Sequence, residues 1–138
     1  MARCFITRQL PGGALTRLSA AHEVEVWRER LPPSPDELAT HLEGAEGLLS
    51  LLTDRIDTAL LDRAPRLRAI ANYAVGYDNI DLAAAAARGI PVGNTPDVLT
   101  HATADLAFTL LLAAARQLPQ ATQSVLDGGR MPHQVKVG

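Results

Sequence analysis

The segment NYAVGYDNIDL, residues 72–82, contains the residues best suited to binding a small anion. An apolar stretch typical of a strand reaches Val75 and Gly76 and then becomes polar, just before a predicted helix. Glycine has no Cβ, so a ligand can approach its backbone closely. Successive amide N–H groups before a helix can form a concave anion site. The pattern favours a carboxylate site at Val75 and Gly76; the alternative is a tight turn that uses Gly76 for its geometry alone.

A second strand end, Leu51-Leu52-Thr53, is suited to the same purpose. In an open parallel sheet, ligands bind outside the carboxyl ends of the strands, near the point where the strand order reverses. Both segments follow predicted strands. We therefore expect them to lie at one edge of one sheet.

Groups for acid–base or metal chemistry are few. The chain has four histidines: His22, His41, His101 and His133. None of them has a Cys or carboxylate partner at the spacing typical of metal ligands. We expect His22 and His41 to be solvated, and His101 to lie in the first turn of a helix without a catalytic role. Three acidic residues are interpreted as helix-capping and surface groups: Asp54, Asp57 and Asp62. The pattern supports neither metal nor nucleophilic catalysis.

The elements that would position these segments alternate along the chain. Strands are predicted at 4–8, 23–28, 47–52, 67–75 and 90–95, and helices between them at 11–21, 32–42, 54–64 and 80–89. This alternation indicates parallel pairing through right-handed crossovers. The fold class is therefore α/β, a flavodoxin-like open parallel sheet of about five strands with flanking helices.

Local signals mark the ends of several elements. Pro11 is predicted to open the first helix, Ser34 to cap the second, and Gly89 to end the fourth. Cys4, the single cysteine, is expected to be buried in the first strand. A lone cysteine cannot form an internal disulfide, which favours a reducing compartment.

Residues 100–118 are predicted to form one long helix with Thr100 as its N-cap. Beyond Asp105 the apolar residues extend nearly all the way round the helix. Such a helix needs cover on every side, and one five-stranded sheet covers only one side. The sequence therefore predicts a partner for this helix, either another domain or a second chain.

The composition is that of a soluble globular protein. Of the 138 residues, 47% are hydrophobic and 20% are charged, and the net charge of -2 comes without a dense run of Lys or Arg. This argues against nucleic acid or an anionic membrane as the main partner. No signal peptide or membrane-spanning stretch is evident, so a cytoplasmic location is expected.

The stretch YAVGYDNIDLAAAAARGIPVGNTPDVLTHATADLAFTLLLAAARQLP closely resembles the D-isomer-specific 2-hydroxyacid dehydrogenases, the glyoxylate and hydroxypyruvate reductases above all. FITRQLP, VEVW and GLLSLLTDRID agree in order and spacing, and the resemblance covers about residues 3–130. It implies a two-domain enzyme that transfers a hydride between NAD(H) or NADP(H) and a 2-oxo or 2-hydroxy acid.

The resemblance also implies roles for particular residues. The backbone amides of Val75 and Gly76 would hold the substrate carboxylate, and Leu52 would line the same pocket. Thr103 would face the cofactor, and residues 94–100 would form the first interdomain crossover. The apolar helix would then pack into the cofactor domain.

The 138 residues lack the parts that would carry the chemistry. No G-x-G-x-x-G follows a strand, and the family's catalytic Arg, Glu and His lie further along its chains. We therefore expect a substrate-binding domain at 1–99, an interdomain helix at 100–129 that begins an essentially absent Rossmann cofactor domain, and a divergent tail at 130–138. Such a truncated chain is expected to be inactive alone and to bind no cofactor tightly.

Two other functions stay open. The chain could be a non-enzymatic module that binds a small carboxylate or dimerises through its apolar helix. It could also be a fragment without a function, since a large exposed apolar surface favours aggregation.

Overall fold

The computed structural model describes residues 1–129. Residues 1–97 form one compact unit, and a second compact unit begins at Val98. The predicted tail at 130–138, with His133, lies outside the described residues. The predicted domain division at residue 99 stays a prediction.

A parallel sheet of five strands organises the first unit. Its strands are β1 (Arg3–Ile6), β2 (Glu23–Val26), β3 (Gly47–Ser50), β4 (Ala69–Asn72) and β5 (Val92–Gly93). Their order is β2-β1-β3-β4-β5, which is the flavodoxin-like order with its switch point between β1 and β3. The predicted α/β class with about five strands is confirmed. Each strand is shorter than predicted, and the edge strand β5 has two residues because Pro91 lacks the N–H that would extend the ladder.

Helices connect successive strands: α1 (Ala14–Ala21), α2 (Pro35–Leu42), α3 (Thr58–Asp62) and α4 (Leu82–Ala87). The prediction that Ser34 caps α2 is confirmed, because its hydroxyl accepts from the Glu37 N–H and its own N–H donates to the Glu37 carboxylate at 2.8 Å. Asp57 caps α3 in the predicted manner by accepting from the Leu60 N–H at 3.1 Å. These caps fix where α2 and α3 begin.

All four helices of the first unit begin two to four residues later than predicted, and two of these differences have a clear cause. The first helix begins at Ala14 rather than at Pro11, because Gly12 has a φ of +74° and breaks the helical conformation. The third begins at Thr58 rather than at 54, since the chain first forms a bridge between Ile56 and Ile80. The end of α4 is as predicted: Gly89 follows the helix with a φ of +67°.

The hydrophobic core lies between the sheet and α2, α3 and α4. Phe5, Leu42 and Ile56 are among its fully buried side chains. In α4 the buried residues are alanines, Ala84 and Ala85, which let the helix approach the core closely. This core is self-contained within residues 1–97.

The prediction that Cys4 is buried is wrong, because its side chain is only half-buried. Its strand neighbour Gly47 leaves room for it: a Cβ at Gly47 would lie 2.9 Å from the Cys4 Sγ. Partial burial, with the nearby Glu46 carboxylate, raises the pKa of the Cys4 thiol.

The described part of the second unit, residues 98–129, contains two helices, α5 (Thr100–Ala115) and α6 (Leu118–Leu126). The single helix predicted for 100–118 therefore ends early. Gln117 adopts a left-handed conformation with a φ of 51°, and the first turn of α6 contains a proline, which cannot donate to a preceding helical turn. Thr100 is not the N-cap. Leu99 holds that position with near-helical dihedral angles, so Thr100 already lies inside the helix.

No residue between 98 and 129 is buried. The large apolar side chains at least half exposed in this unit are Val98, Leu99, Leu106, Phe108, Leu110, Leu111, Leu112, Leu118, Val125 and Leu126. Across residues 1–129, no helix combines the length and apolar character needed to cross a bilayer.

Candidate site at the carboxyl edge of the sheet

The two predicted ligand-binding segments follow neighbouring strands. Ser50 at the end of β3 pairs in register with Asn72 at the end of β4, so the chain leaves both strands at the same edge. Leu52 and Val75 are exposed there, at 68% and 41%, and Gly76 is exposed beside them. The structure thus brings these three residues to one edge of the sheet, as the sequence predicts.

The amides of Val75 and Gly76 are free to bind a ligand. No described residue accepts a hydrogen bond from either N–H group. The carbonyl groups of the same loop are engaged: the Ala74 oxygen accepts from the Thr95 N–H at 2.9 Å, and the Val75 oxygen accepts from Asn94 Nδ2 at 2.7 Å. The loop therefore satisfies its acceptors and exposes its donors, as an anion site requires.

A network of asparagine side chains, Asn72 and Asn79, supports this loop through hydrogen bonds. Asn72 is 2% exposed. Its Nδ2 donates to the Gly76 oxygen and to Asn79 Oδ1, each at 3.0 Å. Its Oδ1 accepts from Ser50 Oγ, also at 3.0 Å. Asn79 Nδ2 donates to the carbonyl oxygens of Leu51 and Asp54 at 3.1 and 2.9 Å. The network joins the loop after β3 to the loop after β4.

Sequence reasoning missed this network. The signal was present, since asparagine is depleted in strands and Asn72 ends an otherwise apolar strand. A buried carboxamide must also find hydrogen-bond partners. What the sequence does not show is which groups, four to 22 residues away from Asn72, supply them.

Asp54 corrects a second prediction. The sequence predicts a capping or surface group at this position, but the side chain lies at the switch point between β1 and β3 and the residue is 4% exposed. Its carboxylate accepts from the Thr7 hydroxyl and from the Leu51 N–H, the latter at 2.7 Å. A buried carboxylate is stabilised by such donors, and here it ties the loop before Leu52 to the end of β1.

A cleft of about 440 Å³ adjoins these loops and is lined by residues 52, 53, 55–57 and 78–81. Leu52 lines it, whereas Val75 and Gly76 do not. Its charged groups are Arg55, Asp57, Asp78 and Asp81, and Arg55 is largely solvent-exposed and paired with Asp57 at 3.1 Å. The cleft therefore carries more negative than positive charge and is less suited to an anion than the neighbouring amides.

Asp81 contributes to that negative charge. The Ala84 N–H and then the Thr58 hydroxyl donate to its carboxylate, at 2.9 and 3.0 Å, and these bonds hold the pKa of Asp81 below its usual range. Asp81 also caps α4. Its position is thus explained by helix capping.

Two of the described histidines, His22 and His41, belong to the first unit and lie outside the loops that follow β3 and β4. The prediction that His41 is solvated is wrong: its ring stacks on Phe5 with centroids 4.6 Å apart, meets Trp27 edge-on, and its Nδ1 lies 2.6 Å from Glu25. His22 is also half-buried, and its Nδ1 has no hydrogen-bond partner among the described residues. His101 is exposed in the first turn of α5.

Glu25 connects Arg3 and His41 in a small cluster of ionisable side chains. Partial burial raises its pKa, but hydrogen bonds and charge from Arg3, at 2.9 Å, and from His41 outweigh burial, and the pKa of Glu25 is lowered. Within residues 1–129, no three His, Cys, Asp or Glu side chains form a group that could hold a metal ion.

The predicted cofactor residue lies in the other unit. Thr103 is exposed in the first turn of α5, and its N–H donates to the Leu99 oxygen at 2.9 Å within the helix. Its hydroxyl is therefore accessible, and its role toward a cofactor stays a prediction.

Comparison with known protein families gives one match that spans most of the chain. Residues 4–136 match the model of the D-isomer specific 2-hydroxyacid dehydrogenase catalytic domain. The match includes most of the segment 130–138.

Individual relatives agree with this family. The chain is 46% identical over 126 residues to a glyoxylate reductase of Korarchaeum cryptofilum, which covers 91% of the chain and 38% of the relative. The TT0316 protein of Thermus thermophilus superimposes with a TM-score of 0.85 at 46% identity, covering 98% of this chain and 43% of that one.

A third similar protein is the NADPH-dependent glyoxylate/hydroxypyruvate reductase of Sinorhizobium meliloti, solved in complex with citrate. It has a TM-score of 0.74 and 34% identity, with 93% of this chain and 39% of that chain covered. The chain thus spans about 38% of the length of the curated relatives that it matches.

Proposed function

The chain belongs to the family of D-isomer specific 2-hydroxyacid dehydrogenases, and from this premise we propose that residues 1–97 bind the small 2-oxo or 2-hydroxy acid. Val75 and Gly76 grip the acid's carboxylate through their N–H groups, and Leu52 contacts its other end. The observation that carries the proposal is the pair of amides that have no acceptor within the described chain.

The conformation of Gly76 supports a ligand rather than a turn. Its φ is not in the left-handed region, and a Cβ built at this position would meet only Asp78 Oδ2, at an ordinary contact distance of 3.7 Å. The backbone and its neighbours therefore tolerate a side chain here. An external group that must approach the amides closely explains the glycine better than the turn does.

The reaction is hydride transfer between a nicotinamide cofactor and the acid, with glyoxylate or hydroxypyruvate as the 2-oxo substrate. Two observations support this choice: the names of the similar glyoxylate reductases, and the citrate complex of one similar reductase. The 138 residues themselves do not fit a dinucleotide, since they contain no G-x-G-x-x-G. We assign the cofactor and its acid–base partners to residues outside this chain, with Thr103 as the one contact toward it from α5.

Calorimetric titration of the 138-residue chain with glyoxylate tests the acid-binding role. We expect binding of about millimolar affinity, worth about 4 kcal/mol, and no oxidation of NADH or NADPH when glyoxylate is present. Turnover by this chain alone would contradict the assignment of the chemistry to other residues. Absence of glyoxylate binding would contradict the acid-binding role.

Gly76→Ala is the matched variant for this titration. A methyl group at this position would crowd any carboxylate that must approach these amides closely, so we expect glyoxylate binding to weaken by at least about tenfold, or 1.4 kcal/mol. The unfolding midpoint should stay equal or rise slightly, because alanine restricts the unfolded chain. A variant that binds glyoxylate as well as the original chain would show that these amides do not hold the acid.

A second function is favoured by the apolar side chains of α5 and α6, which are exposed in the described chain. In this alternative the chain binds a carboxylate without catalysis or dimerises through these helices. Size-exclusion chromatography with light scattering distinguishes a monomer from a dimer. A monomer at high concentration would remove the dimer from consideration.

A further inference from the structure

The direction of the Val75 and Gly76 amides is set by the carbonyl groups that precede them. A trans peptide unit is planar, and its C=O and N–H point in opposite directions. No cis peptide bond occurs in the described chain. A donor that holds the Ala74 oxygen therefore fixes the Val75 N–H, and a donor that holds the Val75 oxygen fixes the Gly76 N–H.

Both donors come from one short segment that follows β5. The Thr95 N–H donates to the Ala74 oxygen at 2.9 Å, and Asn94 Nδ2 donates to the Val75 oxygen at 2.7 Å. Each amide is thereby turned away from residues 94–95 and toward the open side of the loop. Of the two donors, Asn94 is the one that acts through its side chain and can be removed by substitution.

We propose that Asn94 is a positioning residue of the acid-binding site and orients the Gly76 N–H toward the ligand carboxylate. The proposal rests on the proposed function and adds to it a residue that itself touches no ligand. Asn94 is exposed, and its one described side-chain hydrogen bond is the bond to Val75. Because Asn94 contributes no buried surface to the core, we attribute its hydrogen bond with the Val75 oxygen to orienting the peptide unit between Val75 and Gly76.

The other carbonyl of the loop is held independently. Asn72 Nδ2, which is buried, donates to the Gly76 oxygen and fixes the next N–H, that of Tyr77. Loss of the Asn94 carboxamide therefore leaves the loop attached at Gly76 and frees only the peptide unit between Val75 and Gly76. We therefore expect an Asn94 substitution to affect the Gly76 N–H and not the neighbouring amides.

Asn94→Ala in the 138-residue chain, labelled with ¹⁵N-glycine, tests the proposal. The chain has ten glycines, and the Gly76 signal is identified by its loss in Gly76→Ala. In Asn94→Ala we expect the Gly76 amide signal to move without ligand, and glyoxylate to bind about three- to tenfold more weakly, as for the loss of one hydrogen bond.

Thr40→Ala is the control. It removes another exposed side-chain bond to a carbonyl, from Thr40 Oγ1 to the Asp36 oxygen at 2.9 Å, and it has no described contact with residues 72–79. Its unfolding midpoint should match that of Asn94→Ala, while its Gly76 signal and its glyoxylate affinity stay unchanged. A purely structural role for Asn94 would lower the midpoint and leave affinity and signal alone.

The two hypotheses fail in different ways. If the original chain binds glyoxylate and Asn94→Ala binds it equally well with an unmoved Gly76 signal, the positioning role is wrong. If the original chain binds no glyoxylate, the proposed function is wrong, and the Gly76 signal without ligand then tests the orienting contact separately. Asn94→Gln, which retains a carboxamide donor, should recover affinity relative to Asn94→Ala; equal weakening in both would also contradict the proposal.

Discussion

Leucine side chains occupy opposite environments in the two units. In the first unit Leu42 and Leu48 are 0% and 3% exposed, and they belong to a continuous core. In the second unit Leu111 and Leu112 are 62% and 52% exposed, on a helix of which no residue is buried. Burial of apolar surface is the main stabilising term in folding. The first unit therefore has the means to be stable by itself, whereas the second needs cover for its helices.

The polar groups show the same contrast. The buried polar side chains of the first unit, such as Asn72 and Asp54, are hydrogen-bonded, and the described ion pairs all lie within it. The side-chain bond described in the second unit joins Gln123 to Asp127 on the surface of α6. Specific polar contacts thus accompany a core and set the shape of the candidate site.

One substitution in each unit tests the comparison most strongly. Leu42→Ala should lower the free energy of unfolding by about 2–5 kcal/mol, because it leaves a cavity in the core. Leu111→Ala, the same chemical change, should stay within about 0.5 kcal/mol, as exposed substitutions do. Urea unfolding of the 138-residue chain measures both. A large loss in Leu111→Ala would show that α5 is covered in solution, for instance by a second copy.

Removal of the partly buried carboxamide of Asn79 should have the next largest effect. Asn79→Ala removes the described side-chain donor to the Asp54 oxygen, one of two bonds to the Leu51 oxygen and one bond of Asn72, so we expect a loss of about 1–3 kcal/mol. Gln120→Ala in α6 is the control, since Gln120 is exposed. The urea midpoints of the two variants give the difference. Equal midpoints would mean that water replaces the network at little cost.

The smallest effect on stability is expected for Glu25, which pairs with Arg3 and His41, and it should depend on pH. The pKa of Glu25 is lowered in the folded chain by Arg3 and His41, so its stabilising contribution is present above the ordinary glutamate pKa near 4.5. That contribution is lost as the pH falls below 4.5 through the lowered value. Glu25→Gln should therefore lower the thermal midpoint slightly at pH 6 and have a diminishing effect toward pH 3. Glu23→Gln is the control, since Glu23 lies on the same strand and has no described ion pair.

The sequence predicted the elements whose signals are local. The alternation of strands and helices, the Ser34 cap and the turn at Gly89 depend on neighbouring residues, and the structure confirms them. The break at Gln117 also had a local signal, the proline at the start of α6, which the continuous apolar pattern outweighed. Periodicity alone thus gave a helix that was too long.

The site was predictable only in outline. Val75, Gly76 and Leu52 are found at one sheet edge because parallel strands end together, which a strand assignment already implies. The donors that shape the loop come from residues 19 to 21 positions further along, Asn94 and Thr95. Such pairings depend on the relative placement of β4 and β5 in three dimensions. No periodic pattern records them.

Asn94 and Thr95 precede Asp97, the last residue of the first unit, which takes a left-handed backbone conformation with a φ of 63°. Every group that shapes the loop at Val75 and Gly76 is thus encoded before the boundary. A gene fusion that joined residues 1–97 to an unrelated partner would transfer the proposed carboxylate site as one intact unit. Its capacity to bind would then evolve separately from whatever chemistry the partner performs.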